Sequence, residues 1–177
     1  GEGPAQALAA DRLRRLGLVV DLFELAEVED LPRHPAYRVG GSNGVPRDYA
    51  GRPNLVATWK GSGGGQSLIL TGHMDVVDPG DSRLWLHDPW SATLAEDRLF
   101  GVGAVDDKGP LSAAIMAIAC LRDAGIRLRG DLQLHSFVDE EFGGGNGALA
   151  TLVRGYRADA AIMLEPSNLN VCPVTPG

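Results

Sequence analysis

The residues best placed to do chemistry are His73 and Asp75, which close the apolar run LILTGHMDVV, and the acids Asp106, Glu140, Glu141 and Glu165 further along the chain. Each stands where an apolar stretch hands over to a loop. Together they supply one imidazole and five carboxylates at edges where a buried sheet meets solvent. That donor set suits a pair of divalent metal ions, and the chemistry of such a pair beside an uncommitted carboxylate is hydrolysis of an amide.

The stations are ambiguous one by one. His73 and Asp75 are two apart on strand-like backbone, so their side chains point the same way, and a ligating imidazole commonly passes its other N–H to a carboxylate. The same dipeptide spacing also describes a solvated histidine at a strand end. Asp106 and Asp107 follow Gly-Val-Gly, where backbone can come close to a cation; either could instead cap a helix that starts near Pro110. Glu140 and Glu141 diverge on extended backbone, which lets one hold a metal while the other faces substrate; an exposed acidic turn is the plain alternative. Glu165 follows ADAAIML, and a charge there needs a partner unless the strand end is open to solvent. Oxygen-rich ligation with a single histidine suits Mg, Mn or Zn, and Cys120 and Cys172 match no structural zinc spacing.

The elements that must position these groups follow from periodicity. Residues 5–16 have apolar positions at helical spacing, ended by Gly17, and 18–23 suit a strand. Four prolines and several glycines between 30 and 53 forbid long regular elements there. NLVATWK (54–60) and SLILTGH (67–73) read as adjacent strands with a short connection; 110–124 reads as a buried helix, 131–141 as a strand running into acid, 148–154 as a helix and 158–164 as a buried strand. Alternating strands and helices define an α/β domain with a largely parallel sheet covered on both faces. In such sheets ligands bind beyond the carboxyl ends of the strands, where the acids fall.

Composition narrows the function classes. The 44% apolar content is enough for one globular domain. A net charge of -7 and a pI near 5.0, with no basic cluster interleaved with aromatics, argue against nucleic acid as a partner. The longest apolar segment, LSAAIMAIACL (111–121), is far short of the roughly 20 residues of a membrane span, so no membrane partner is expected. Two cysteines without a C-x-x-C pair fit a reducing compartment, the cytoplasm. GVGAVDDKG does not serve a dinucleotide, because Asp106 stands where the third glycine of G-x-G-x-x-G belongs and would repel a pyrophosphate.

Taken in order, GRPNLVA, LILTGHMDVV, the W…DPW segment, RLFGVGAVDDKG, VDEEFGGGNG and GYRADAAIMLEPS resemble the metallopeptidase family that contains acetylornithine deacetylase, succinyl-diaminopimelate desuccinylase, aminoacylase and glutamate carboxypeptidase. The resemblance runs from about residue 51 to residue 177. It implies a three-layer αβα domain of the zinc-exopeptidase kind, with a mixed, largely parallel sheet. It implies that His73, Asp106 and Glu165 bind one metal and that Asp106 and Glu141 bind a second, with zinc expected and cobalt or manganese possible. Asp75 would orient His73. Glu140 would be the general base, taking the proton of a water that the metal acidifies to a pKa of about 7 and passing it to the leaving nitrogen. The peptide bond between Asp106 and Asp107 is expected to be cis.

The resemblance also has departures. The family usually has arginine where this chain has Val102. Family members are longer, with a lid and dimerisation domain that is absent here and a last histidine ligand beyond it. Residues 1–177 are therefore expected to be the first part of a catalytic metal-binding domain, incomplete, able to hold one metal weakly and to hydrolyse little alone. The full protein is expected to be a homodimer acting on an N-acyl amino acid or a short peptide. The alternative is a non-catalytic metal-binding or regulatory module that keeps the fold.

Overall fold

A computed structural model of the chain describes residues 1–40, 45–143, 145–168 and 170. Its elements are α1 (Gly3–Arg15), β1 (Val19–Phe23), β2 (Asn54–Trp59), β3 (Leu68–His73), β4 (Thr93–Ala95), β5 (Arg98–Phe100), α2 (Lys108–Asp123), β6 (Leu132–Phe137), α3 (Asn146–Val153) and β7 (Ala160–Met163). The main sheet runs β1-β2-β6-β3-β7, while β4 and β5 form a separate hairpin. β3 pairs in parallel with β6 and β7; β1 and β2 join antiparallel on the other side.

The alternating pleat of β2 shows how the layers form. Leu55 and Ala57 face α1 and α2, packing with Ala10, Leu13, Leu111, Ala114 and Ile118. Val56 faces the other way, onto Phe23, Leu25, Val138 and Ala150 of α3. The result is three αβα layers, and the fold class expected from the sequence is the one observed.

Three local expectations are corrected. β2 and β3 are not neighbours, because β6 lies between them. A short connection does not compel pairing, since β6 can bond antiparallel to β2 and parallel to β3 at once. α2 is amphipathic rather than wholly buried: Leu111, Ala114 and Ile118 recur at helical spacing on the inner face, while Met116, Cys120 and Leu121 are exposed. β7 is exposed along its length, with Ile162 and Met163 about half accessible, because it is an edge strand bonded only to β3. Among the described residues no helix is long and apolar enough to cross a membrane.

His135 shows what burial in this sheet does to a titrating group. It sits within β6 with Nε2 2.9 Å from Oε1 of Gln133 and its ring edge-on to Tyr156. Burial lowers its pKa from 6.5 to about 4. A base whose folded pKa is depressed is protonated first in the unfolded chain, so stability is lost as pH falls from 6.5 toward about 4. The loss is roughly 3 kcal/mol in total. Thermal melts of His135→Gln between about pH 7 and about pH 4.5 should show a shallower acid decline than wild type; parallel declines would contradict this account.

Candidate metal centre

β3 delivers His73 at its last residue, fully buried. Its Nδ1 lies 3.0 Å from the main-chain oxygen of Asp75. A carbonyl can only accept, so Nδ1 carries a proton; Nε2 carries a second one toward the carboxylates, and it is this proton that a cation would displace. Nε2 points into a carboxylate cluster: 2.8 Å from Asp106 Oδ1, 3.4 Å from Glu165 Oε1 and 4.0 Å from Glu140 Oε2. Two overlapping donor groups have all their ligand atoms within 4.8 Å of one another, His73 with Asp107 and Glu165, and His73 with Asp106 and Glu141. All four acid stations named from the sequence therefore meet at one end of the sheet.

Asp75 is nearly fully buried but does not chiefly serve the imidazole with its carboxylate. Its Oδ1 is 3.5 Å from His73 Nδ1. Its Oδ2 accepts the main-chain N–H groups of Glu140 at 3.1 Å and Glu141 at 3.2 Å. Burial alone would raise the Asp75 pKa, but the His73 contact and these two amides outweigh it and hold the group ionised. Asp75 thus ties the end of β3 to the turn after β6.

The glutamate pair sits on that turn and not on extended strand, since β6 ends at Phe137 and Glu140 O accepts the N–H of Gly143. Asp139, just before the pair, is fully buried with a left-handed φ of 69°. That conformation reverses the chain so that Glu140 and Glu141 reach solvent near His73. Asp106 stands in the loop that follows β5, not at a main-sheet strand end. The peptide bond from Asp106 to Asp107 is cis.

Asp107, for which the sequence suggested only a helix cap, has a different task. It makes no side-chain cap to α2; its Oδ2 accepts the His73 N–H at 3.1 Å from a fully buried position. Room for it exists because residue 72 is glycine: a Cβ there would overlap Asp107 Oδ2. The signal was therefore the glycine one residue before the histidine. Gly72→Ala should destabilise the protein by about 1–3 kcal/mol through overpacking, read as a lower melting temperature. Unchanged melting would show that the loop yields freely.

Electrostatics mark the cluster as built for cations. Burial, with the neighbouring charges of Asp106 and Glu140, pushes Glu165 up to about 7, against the pull of His73. Burial raises Asp107 to about 6 and, with Asp106 beside it, raises Glu141 as well. Burial would lower His73, yet Asp75, Asp106 and Glu165 together lift it to about 10. Carboxylates crowded this closely oppose one another's ionisation, and a dication is the charge that reverses the sign. Asp107 Oδ1, buried without a hydrogen-bond partner, and the single imidazole both fit a divalent ion.

Comparison with known proteins agrees with this geometry. The chain is 38% identical over 125 residues to N-formyl-4-amino-5-aminomethyl-2-methylpyrimidine deformylase of Bacillus subtilis, across 70% of this chain. A second deformylase of that name, from Halalkalibacterium halodurans, is 39% identical over 125 residues. The chain spans 29% of the length of these curated relatives. Among solved structures, human carnosine dipeptidase 1 superposes with a TM-score of 0.63 at 24% identity, covering 92% of this chain and 32% of that one. An M20 family metallo-carboxypeptidase of Sulfolobus solfataricus gives 0.61 at 21%, covering 89% and 31%. These two likenesses establish the fold. The family described as peptidase family M20/M25/M40 matches residues 69–176. That match takes in His73, Asp75, Asp106, Glu140, Glu141 and Glu165 together, and the chain belongs to peptidase family M20/M25/M40.

Proposed function

We propose that these residues belong to a two-metal amide hydrolase, a deacylase or exopeptidase that cleaves an N-acyl amino acid or a short peptide. The observation that carries the reading is the convergence of Asp106, Glu140 and Glu165 within 4.0 Å of His73 Nε2. His73, Asp106 and Glu165 would hold one ion; Asp106, shared, and Glu141 would hold the second. Zinc suits this donor set, with cobalt or manganese as substitutes. When bound, such ions polarise the amide carbonyl and acidify water to a pKa of about 7.

The protein's own part follows from position. Glu140 is the general base: its amide is fixed to Asp75 while its half-exposed carboxylate stays free of any strong partner but the site itself. It takes a proton from the attacking water and delivers it to the leaving nitrogen. A groove of about 550 Å³ beside Asp106 and Glu141, bordered by Val76, Trp85 and Phe100, offers room for an apolar part of the substrate. The deformylase relatives support a small acyl group on the other side of the bond. A non-catalytic module would have no use for Glu140 held next to the donors.

The share of the relatives' length spanned here supports reading residues 1–177 as the first part of the catalytic domain, with little activity alone. It also leaves room for a lid through which a homodimer would form. Treating the intact protein with a chelator should abolish hydrolysis of N-formyl and N-acetyl amino acids, and added zinc, cobalt or manganese should restore it. Hydrolysis indifferent to chelation would overturn the proposal.

A further inference from the structure

The irregular segment before β2 reaches across the molecule to the glutamate turn. Arg47 Nε lies 3.6 Å from Asp139 Oδ1, and its guanidinium carbon stands 3.8 Å from the centre of the Phe142 ring. Asp139 and Phe142 are the residues immediately before and after Glu140 and Glu141, so one cation grips both ends of the pair. Tyr49 donates its hydroxyl to Asp139 Oδ2 at 2.7 Å and accepts from Asn146 Nδ2 at 2.9 Å. On the opposite side Asp75 accepts the amides of Glu140 and Glu141. The turn is held between these two sets of contacts.

The residue types suit the task. Asp139 is fully buried, and burying a carboxylate is costly unless a charged or hydrogen-bonding partner faces it. Its left-handed backbone persists only where surrounding contacts over-determine it. Arginine can face a carboxylate and stack its plane on an aromatic ring together, which lysine cannot.

We propose that Arg47 and Tyr49 are positioning residues for the glutamate pair, fixing the turn so that Glu140 faces the amide and Glu141 faces the second cation. What the glutamates do rests on the function proposed above; that Arg47 and Tyr49 fix their backbone does not. The latch makes the turn resist local opening, and that is measurable without metal or substrate.

Amide hydrogen exchange on the intact protein without added metal tests this for Arg47→Met, Arg47→Lys and Tyr49→Phe. Exchange at Glu140 and Glu141 should quicken by about tenfold or more in Arg47→Met, with the middle of β6 unchanged. Arg47→Lys should recover only part of the protection, having lost the stacking on Phe142. Should Arg47→Met fail to fold, Tyr49→Phe carries the test, with the same residues quickening. In zinc titrations the ion held through Glu141 should bind about 10–100-fold more weakly, while the ion at His73, Asp106 and Glu165 binds as in wild type. In turnover, kcat should fall with KM unchanged. Unaltered exchange at Glu140 and Glu141, or a rise spread evenly over β6 and α3, would overturn the proposal. If wild type takes up no zinc, the hydrolase reading fails, and the exchange contrast still decides the latch.

Discussion

Glu140→Gln should lower kcat by about 10²- to 10⁴-fold, the usual contribution of a positioned general base, and leave metal content unchanged. The amide side chain has the shape of the carboxylate but cannot take a proton at neutral pH. Its backbone N–H still donates to Asp75, so the turn keeps its place. Glu140 Oε2 is the most distant of the three carboxylate oxygens around His73 Nε2, at 4.0 Å against 2.8 Å for Asp106 and 3.4 Å for Glu165. Single-turnover kinetics with metal analysis on the same preparation read both quantities. A variant that loses metal along with activity would make Glu140 a ligand, and one that keeps full activity would remove it from the chemistry.

Asp106→Ala should weaken both metal sites at once. Asp106 has the shortest approach to His73 Nε2 and also groups with Glu141, so its removal takes a donor from each side of the pair. The affinity lost should exceed the roughly 10–100-fold typical of losing an outer partner of a ligand. The imidazole reports the same change: the Asp106 hydrogen bond is among the contacts that lift His73 to about 10, so in Asp106→Ala the ring should release its proton at lower pH. Histidine NMR titration of the metal-free protein follows this directly. An unchanged His73 titration would mean that the contact does not form in solution.

The site was more readable from sequence than the frame around it. An acid after a long apolar run is conspicuous, and His73, Asp75, Asp106, Glu140, Glu141 and Glu165 all converge, though Asp106 arrives on a loop before α2. The helices and the main-sheet strands followed from periodicity and from Gly17, whose φ of 80° ends α1, while the β4–β5 hairpin lies in a stretch that reads as irregular. Strand order did not, because hydrophobic runs such as 54–60 and 67–73 state that strands are buried and not which strand lies between them. The exposure of β7 was also invisible, since ADAAIML has the composition of a buried strand whatever covers it.

What escaped was carried by residues without periodicity. Arg47 and Tyr49 lie among prolines and glycines, where nothing local marks a side chain as reaching a turn ninety or more positions away. Asp107 was legible only through Gly72, and a glycine beside a histidine has many explanations until a backbone is in hand. Asp75 was expected to orient His73 through its carboxylate; the His73 Nδ1 hydrogen bond goes to the Asp75 main-chain oxygen, and the carboxylate goes mainly to the glutamate amides. Contacts between segments distant in sequence are set by topology, and topology was the part that spacing could not supply.

His73 and the converging acids would together form a divalent-metal centre. Calorimetric titration of the metal-free intact protein with zinc, run beside Asp106→Ala, tests it most directly. Saturable binding with proton release is expected, as zinc displaces the proton held on His73, with loss of that binding in the variant. Absence of saturable binding in wild type, or equal binding in both proteins, would contradict it.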